Sequence, residues 1–194
     1  ALGNDNSVSN TYTWTYDSTV PTMTITSSTV SSGATTNTAA IALTFTSSES
    51  TTDFVANDIT ASGCSLGSLS GSGATYTATC TATSDGTPSI SVAANKFSDG
   101  VGNANSAASN TYTWTYDGTA PTVAITSSAS NPATGSTFAV TITFSESTAN
   151  FVVGDITVSG GSASLSGSGT TYTATVTPSA DGTVTVDVAA GVAT

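Results

Sequence analysis

Residues 10–17 read Asn-Thr-Tyr-Thr-Trp-Thr-Tyr-Asp, and residues 110–117 repeat the same eight letters. Thr alternates with aromatic residues in both copies, so Tyr12, Trp14 and Tyr16, and likewise Tyr112, Trp114 and Tyr116, share one face of an extended segment. Such alternation marks a strand with one buried and one wet face. Both tryptophans of the chain lie in these two strings. Each string ends on an acid, Asp17 or Asp117.

The hundred-residue spacing is an internal repeat. Residues 17–28 (DSTVPTMTITSS) match 117–128 (DGTAPTVAITSS), and 43–50 (LTFTSSES) match 142–147 (ITFSES) with two residues fewer. Asn57-Asp-Ile-Thr60 matches Gly154-Asp-Ile-Thr157, 69–79 (LSGSGATYTAT) match 165–175 (LSGSGTTYTAT), and Asp85-Gly-Thr87 matches Asp181-Gly-Thr183. A unit of this length exceeds a solenoid repeat and suits a small sandwich domain.

Within repeat one, alternation and turn residues predict seven strands: 22–26, 39–46, 58–62, 66–70, 75–81, 89–93 and 111–116. Ser-Gly, Asp-Gly and Pro separate them. The expected fold is all-β, a tandem array of seven-stranded Ig-like β-sandwich repeats. Residues 1–17 are expected to be the last strand of a preceding or neighbouring Ig-like domain, 18–117 a complete domain, and 118–194 a domain lacking its last strand. On this reading the chain is a window from a longer array, or a subunit that lends its first strand to the next. Tyr12, Trp14 and Tyr16 are then expected to close a core outside residues 18–117, as Tyr112, Trp114 and Tyr116 close the core within them.

The motifs D-x-T-x-P-T, F-x-x-x-D-I-T, S-G-S-G-x-x-Y-T-A-T and D-G-T, in this order, make the chain resemble the tandem bacterial-type immunoglobulin-like (Big) repeats of adhesins. Similar repeats occur in surface proteins of marine protists. The resemblance spans essentially the whole chain. It implies extracellular, multi-domain adhesive or load-bearing stalks and does not imply an enzyme.

Composition narrows the partners. One basic residue against 12 acidic ones gives a net charge of −11. A single lysine forms no basic patch, which argues against nucleic acid and anionic membrane surfaces. No apolar run reaches the length of a membrane-spanning helix. Without histidine or arginine, a nucleophile–base pair is hard to assemble, so no enzyme is expected.

The acids are expected to gather. If successive strands alternate in direction, Asp17, Glu49, Asp53, Asp58 and Asp99 converge on one pole of repeat one. Repeat two retains Asp117, Glu146 and Asp155. All-oxygen donor sets of this kind suit calcium. The alternative is a set of solvated loop acids, with Asp58 and Asp155 capping local turns.

Cys64 and Cys80 are expected to form a disulfide near the opposite pole, bridging from one sheet to the other. The alternative is two buried thiols. Repeat two places Gly161 and Val176 at the aligned positions. A disulfide fits an extracellular or cell-surface location.

The leading functional expectation is a structural spacer in an extracellular fibre, filament or adhesin. Its partners would be neighbouring copies of the same repeat, in cis or as a head-to-tail filament, with O-glycans on the Ser/Thr surface. The alternative is a glycan- or ice-binding module using outward threonine ladders, Thr77, Thr79, Thr81 and Thr111, Thr113, Thr115.

Overall fold

The computed structural model describes residues 2–194. The chain divides into two compact units, the first running through Gly118 and the second spanning Thr119–Thr194.

Unit 1 is built from β1 (Met23–Ser27), β2 (Thr35–Thr36), β3 (Ala40–Thr51), β4 (Ile59–Ser62), β5 (Cys64–Leu66), β6 (Ser70–Ala82), β7 (Ser89–Val92), β8 (Tyr112–Thr113) and β9 (Thr115–Tyr116). One sheet has the order β1-β3-β6-β5 and the other β4-β7-β8. A short parallel pair, β2 with β9, links Thr35 to Thr115. The predicted strand 111–116 is thus two pieces: β8 extends the sheet of β7, and β9 runs beside β2.

The two sheets enclose one core. Ile25, Ile41, Leu43, Phe45, Cys80, Ile90, Val92 and Trp114 are buried in it. Alternation delivers these residues, because along β3 the inward positions Ile41, Leu43, Phe45 and Ser47 are buried while Ala42 and Thr46 face out. The outward side carries rows of threonine across three strands: Thr24, Thr46 and Thr75, then Thr26, Thr44 and Thr77. Of the two expected ladders, Thr77, Thr79 and Thr81 are exposed, whereas Thr113 and Thr115 are half-buried.

Unit 2 comprises β10 (Val123–Thr126), β11 (Phe138–Thr148), β12 (Ile156–Ser159), β13 (Gly161–Pro178) and β14 (Thr185–Val188). Its sheets are β10-β11-β13 and β12-β14, around a core of Val140, Ile142, Phe144, Phe151, Tyr172, Ala174 and Val176.

The strand registers correct the sequence alignment of the repeats. Ile25 pairs with Phe45, and Ile125 pairs with Ile142. Cys80 pairs with Ile41, and Val176 pairs with Phe138. Phe45 therefore corresponds to Ile142, Ser47 to Phe144 and Glu49 to Glu146, with no gap in this strand. The shortening falls in the loop before it. The shared Thr-Phe pair had drawn the alignment two residues out of place, a slip that leaves the inward face inward.

The corrected register exposes a compensation. In unit 1, Phe54 packs edge-on against Tyr76 at 5.1 Å and Phe97 at 5.5 Å between ring centres. In unit 2 the corresponding Phe151 packs on Tyr172 at 5.0 Å and on Phe144 at 4.9 Å. Phe97 has Ala193 as its counterpart, and Ser47 has Phe144. The ring without a counterpart comes from the loop after β7 in unit 1 and from β11 in unit 2, yet the space beside the central Phe is filled in both.

The repeated S-G-S-G string also has a backbone reason. Gly71 has φ +116°, and a Cβ there would lie 2.4 Å from the carbonyl oxygen of Thr75. Gly167 repeats this, with φ +108° and 2.5 Å to the oxygen of Thr171. Glycine is required where this strand bends across its own chain.

Candidate metal centre

Three of the expected acids come together at one pole of unit 1. Carboxylate oxygens of Asp17, Glu49 and Asp99 all lie within 4.8 Å of one another. Asp17 arrives from the segment before β1, Glu49 from the far end of β3, and Asp99 from the loop after β7. An isolated bridge between Thr51 and Asp99 brings that loop against β3.

Asp99 is held by its own loop. Its Oδ1 accepts from the backbone N–H groups of Val101, Gly102 and Asn103 at 3.0, 2.7 and 2.8 Å. Its Oδ2 accepts from the Asn103 side chain at 2.8 Å, and the same Nδ2 donates to the backbone oxygen of Asp17 at 3.3 Å. Asn103 thus ties the incoming chain to the loop carboxylate. Sequence reading passed it over; its only signal was its place four residues after Asp99 in a Gly- and Asn-rich loop.

Glu49 is the unbalanced member. Its Oε1 is buried and has no hydrogen-bond partner. Burial raises the pKa of this carboxyl, and the charges of Asp17 and Asp99 raise it further. Burial also works to raise Asp99, but the Asn103, Val101 and Gly102 donors outweigh it and hold that carboxyl below the ordinary aspartate range. The site therefore combines a fixed anion, a second anion on the entering chain and a buried oxygen without a donor. Hard oxygens in this arrangement fit a divalent cation such as calcium. The carboxylates of Asp17, Glu49 and Asp99 would hold it, and the cation would neutralise their mutual repulsion.

Asp53 and Asp58 stand elsewhere. Asp53 accepts from Ser98 N at 2.9 Å and from Thr51 Oγ1 at 2.7 Å, and it also bonds the Ser98 hydroxyl. In unit 2 a neutral residue does the same work, since Thr194 N donates to Asn150 Oδ1 at 2.8 Å. The duty of Asp53 is therefore to clamp the loop after β7. Asp58 closes a short 3-10 turn by accepting from Val55 N at 2.9 Å. Asp155 does so from Val152 N at 2.8 Å. Both fit the turn-capping alternative. In unit 2, Asp117 is exposed, and Glu146, like Glu49, keeps a buried Oε1 without a partner.

These shifts give unit 1 a pH signature. Burial opposes the lowering of Asp53, but hydrogen bonds from Ser98 and Thr51 prevail. Asp53 and Asp99 bind protons less tightly folded than unfolded, so they stabilise at neutral pH and that contribution is lost as pH falls through the carboxylate range. Glu49 has the opposite sign: it destabilises when ionised and is relieved as pH falls through its raised range. The melting temperature of unit 1, without divalent ions, should rise slightly from pH 7 towards about 5 and drop below about 4. Calorimetry in chelating buffer checks this; a monotonic fall from neutrality would contradict it.

The cysteines form a disulfide, with Cα atoms 5.8 Å apart. The bridge does not cross between sheets, as the sequence suggested. Leu66 pairs with Cys80 and Cys64 with Ala82, so it runs diagonally between the neighbouring strands β5 and β6.

Of the aromatic strings, Tyr112 and Trp114 are buried and Tyr116 half-buried, while Tyr12, Trp14 and Tyr16 are exposed and outside any strand.

Two sheets packed face to face around one core, twice in tandem, define a protein of repeated immunoglobulin-like sandwiches. The profile of the bacterial Ig-like domain family matches residues 17–116 and again 117–194, and the chain belongs to that family. The family is typically non-enzymatic and commonly extracellular, and the Cys64–Cys80 disulfide is compatible with that setting. Comparison with curated proteins finds no match.

Proposed function

We propose that the protein is a structural spacer of an extracellular fibre, filament or adhesin, whose repeats are joined end to end and whose poles are stiffened by calcium. The observation that carries this reading is the seam residue Asp17. It precedes the first strand of unit 1, yet its backbone oxygen is bonded to Asn103 and its carboxylate lies with Glu49 and Asp99. The entering chain is part of the folded pole.

The exit is anchored as well. Gly118 N donates to Asp85 Oδ1 at 2.7 Å, and Tyr116 exchanges backbone bonds with Gly86. Chain held on entry and on exit suits a module that passes tension along an array. A cation among Asp17, Glu49 and Asp99 would add a cross-link between linker and domain. The outward threonine rows recur in unit 2, where Thr143 pairs with Thr171 and Thr141 with Thr173. That recurrence supports a hydrated scaffold surface over a face dedicated to one ligand.

Electron microscopy of arrays of this repeat, with calcium and with chelator, tests the reading. Straight rods should become flexible when calcium is removed, and Glu49→Gln should reproduce that flexibility in calcium while leaving unit 1 folded. Arrays equally flexible with and without calcium would remove the calcium joint. Arrays that collapse into compact, unextended particles in both buffers would remove the spacer reading.

A further inference from the structure

The Cys64–Cys80 bridge lies far from both ends of the path that tension takes through unit 1. The chain enters along β1, at one edge of the sheet β1-β3-β6-β5, and the bridge joins β6 to β5 at the other edge. It leaves through β9, where Thr115 N donates to Ala34 O at 2.9 Å and Asp117 N to Thr36 O at 3.1 Å. Pulling on the two ends therefore acts first on β1 and β9. It reaches the cysteines only after those strands have been stripped away. From then on the bridge carries the tension, and residues 65–79 form a closed loop that carries none.

In the folded unit neither sulfur is a workable target for a thiol. Exchange needs a thiolate to reach one sulfur while the other departs as a thiolate. Cys80 is fully buried, with Ile41 opposite it on β3 and Leu66 opposite it on β5, so its sulfur is out of reach. Cys64 is half-buried, but attack there must expel the Cys80 thiolate into the apolar core. A charge stranded in such surroundings is costly. The one basic residue of the chain, Lys96, is exposed and does not offset it.

We infer that the bridge is a tension-gated exchange site for small thiols of the glutathione type, closed while unit 1 is folded and opened when load unfolds it. This rests on the spacer reading, because a repeat within a loaded array is one that force can open. Once the strands part, both sulfurs stand in water. A thiolate RS⁻ attacks one of them, the S–S bond breaks, and the other cysteine leaves as a thiolate. A second RS⁻ then attacks the RS sulfur of the mixed disulfide, releasing the remaining cysteine as a thiolate and RSSR as product. Two thiols are oxidised as the bridge is reduced.

Exchange releases residues 65–79 into the extended chain. The bridge spans a sequence separation of 16 with its Cα atoms 5.8 Å apart, so opening it adds about 50 Å of contour length. The two half-products are not equivalent. An RS group on Cys80 has no room in the close-packed core, so it bars refolding until it is displaced. On Cys64, in a three-residue edge strand, the same adduct sacrifices β5 and lets β1, β3 and β6 re-form. A repeat stretched in the presence of thiol is thus left longer than one stretched without it. Unit 2 holds no cysteine, so its length does not respond.

The test holds the full chain between two handles at constant force, with and without reduced glutathione. With it, a further step of about 50 Å should follow each opening of unit 1, after a delay that shortens as the thiolate concentration rises. Without it, that step should be missing. At zero force, the bridge of the folded protein should be reduced at least about a hundredfold more slowly than that of the denatured chain, read by mass after alkylation. A step of this size before unit 1 opens, its absence from every trace with glutathione, or equal reduction rates in folded and denatured chain would each overturn the proposal. The double variant Cys64→Ala, Cys80→Val should open unit 1 in one step, longer by about 50 Å. The zero-force rates decide the matter even where that variant fails to fold. Rods that ignore calcium would leave the exchange step untouched, and a bridge reduced equally fast in both states would leave the rods untouched, so the two readings fail separately.

Discussion

Trp114→Ala destabilises unit 1 by about 3–5 kcal/mol, whereas Trp14→Ala changes its stability by no more than about 0.5 kcal/mol. The two tryptophans sit in identical strings, Ser9–Asp17 and Ser109–Asp117. Trp114 is fully buried and Trp14 is 77% exposed. Truncating Trp114 removes a large apolar surface and leaves a cavity between Tyr112, whose ring lies 6.4 Å away, and the inner faces of both sheets. Its Nε1 is buried without an acceptor, so no hydrogen bond is lost with it, and the cost is one of packing. Calorimetry of monomeric chain at low concentration reads both variants. Equal losses would mean that residues 10–16 pack within their own chain after all.

Reducing the Cys64–Cys80 bridge lowers the stability of unit 1 by about 3 kcal/mol on the chain-entropy account and leaves unit 2 unchanged. The bond is diagonal within one sheet and pins β5, a three-residue edge strand, to β6. Its loss should therefore loosen β5 first, which hydrogen exchange at Cys64–Leu66 would show. Cys80 is fully buried, and so is Val176 at the same place in unit 2. The double variant Cys64→Ala, Cys80→Val keeps the packing and removes only the link, so its loss should match that of reduction. In unit 2 the position corresponding to Cys64 is Gly161, where a Cβ would lie 2.5 Å from the oxygen of Thr177, so that position leaves no room for a cysteine. A fall in the second melting transition on reduction would contradict this.

Much of the architecture was legible from residue order alone. Alternation along 39–46 and 75–81 predicted inward Ile41, Leu43, Phe45, Tyr76 and Cys80, all buried in the structure. The repeat-two alignment was readable in outline but went two residues astray at Phe144. A period-two pattern is insensitive to such a slip, and only the pairing of Ile125 with Ile142 resolves it. The Cys pair could be paired from sequence but not routed, because whether two strands are neighbours in one sheet depends on connections far along the chain.

The carboxylates show the same division. Asp17, Glu49 and Asp99 were grouped with Asp53 and Asp58 from strand direction, and only the first three meet. Where a loop acid points is set within a few ångströms by its own turn, as the Val55–Asp58 bond shows. Strand polarity assigns a pole and cannot assign a contact.

By itself the sequence determined the strands, their inward faces, the tandem unit and the cysteine pair, because these follow from local sterics and a two-residue period. Only the tertiary structure decided which acids share a site and that the Cys64–Cys80 bridge runs within one sheet. Those are non-local outcomes: they depend on which strands and loops become neighbours after the chain has folded, and no local sequence encodes that.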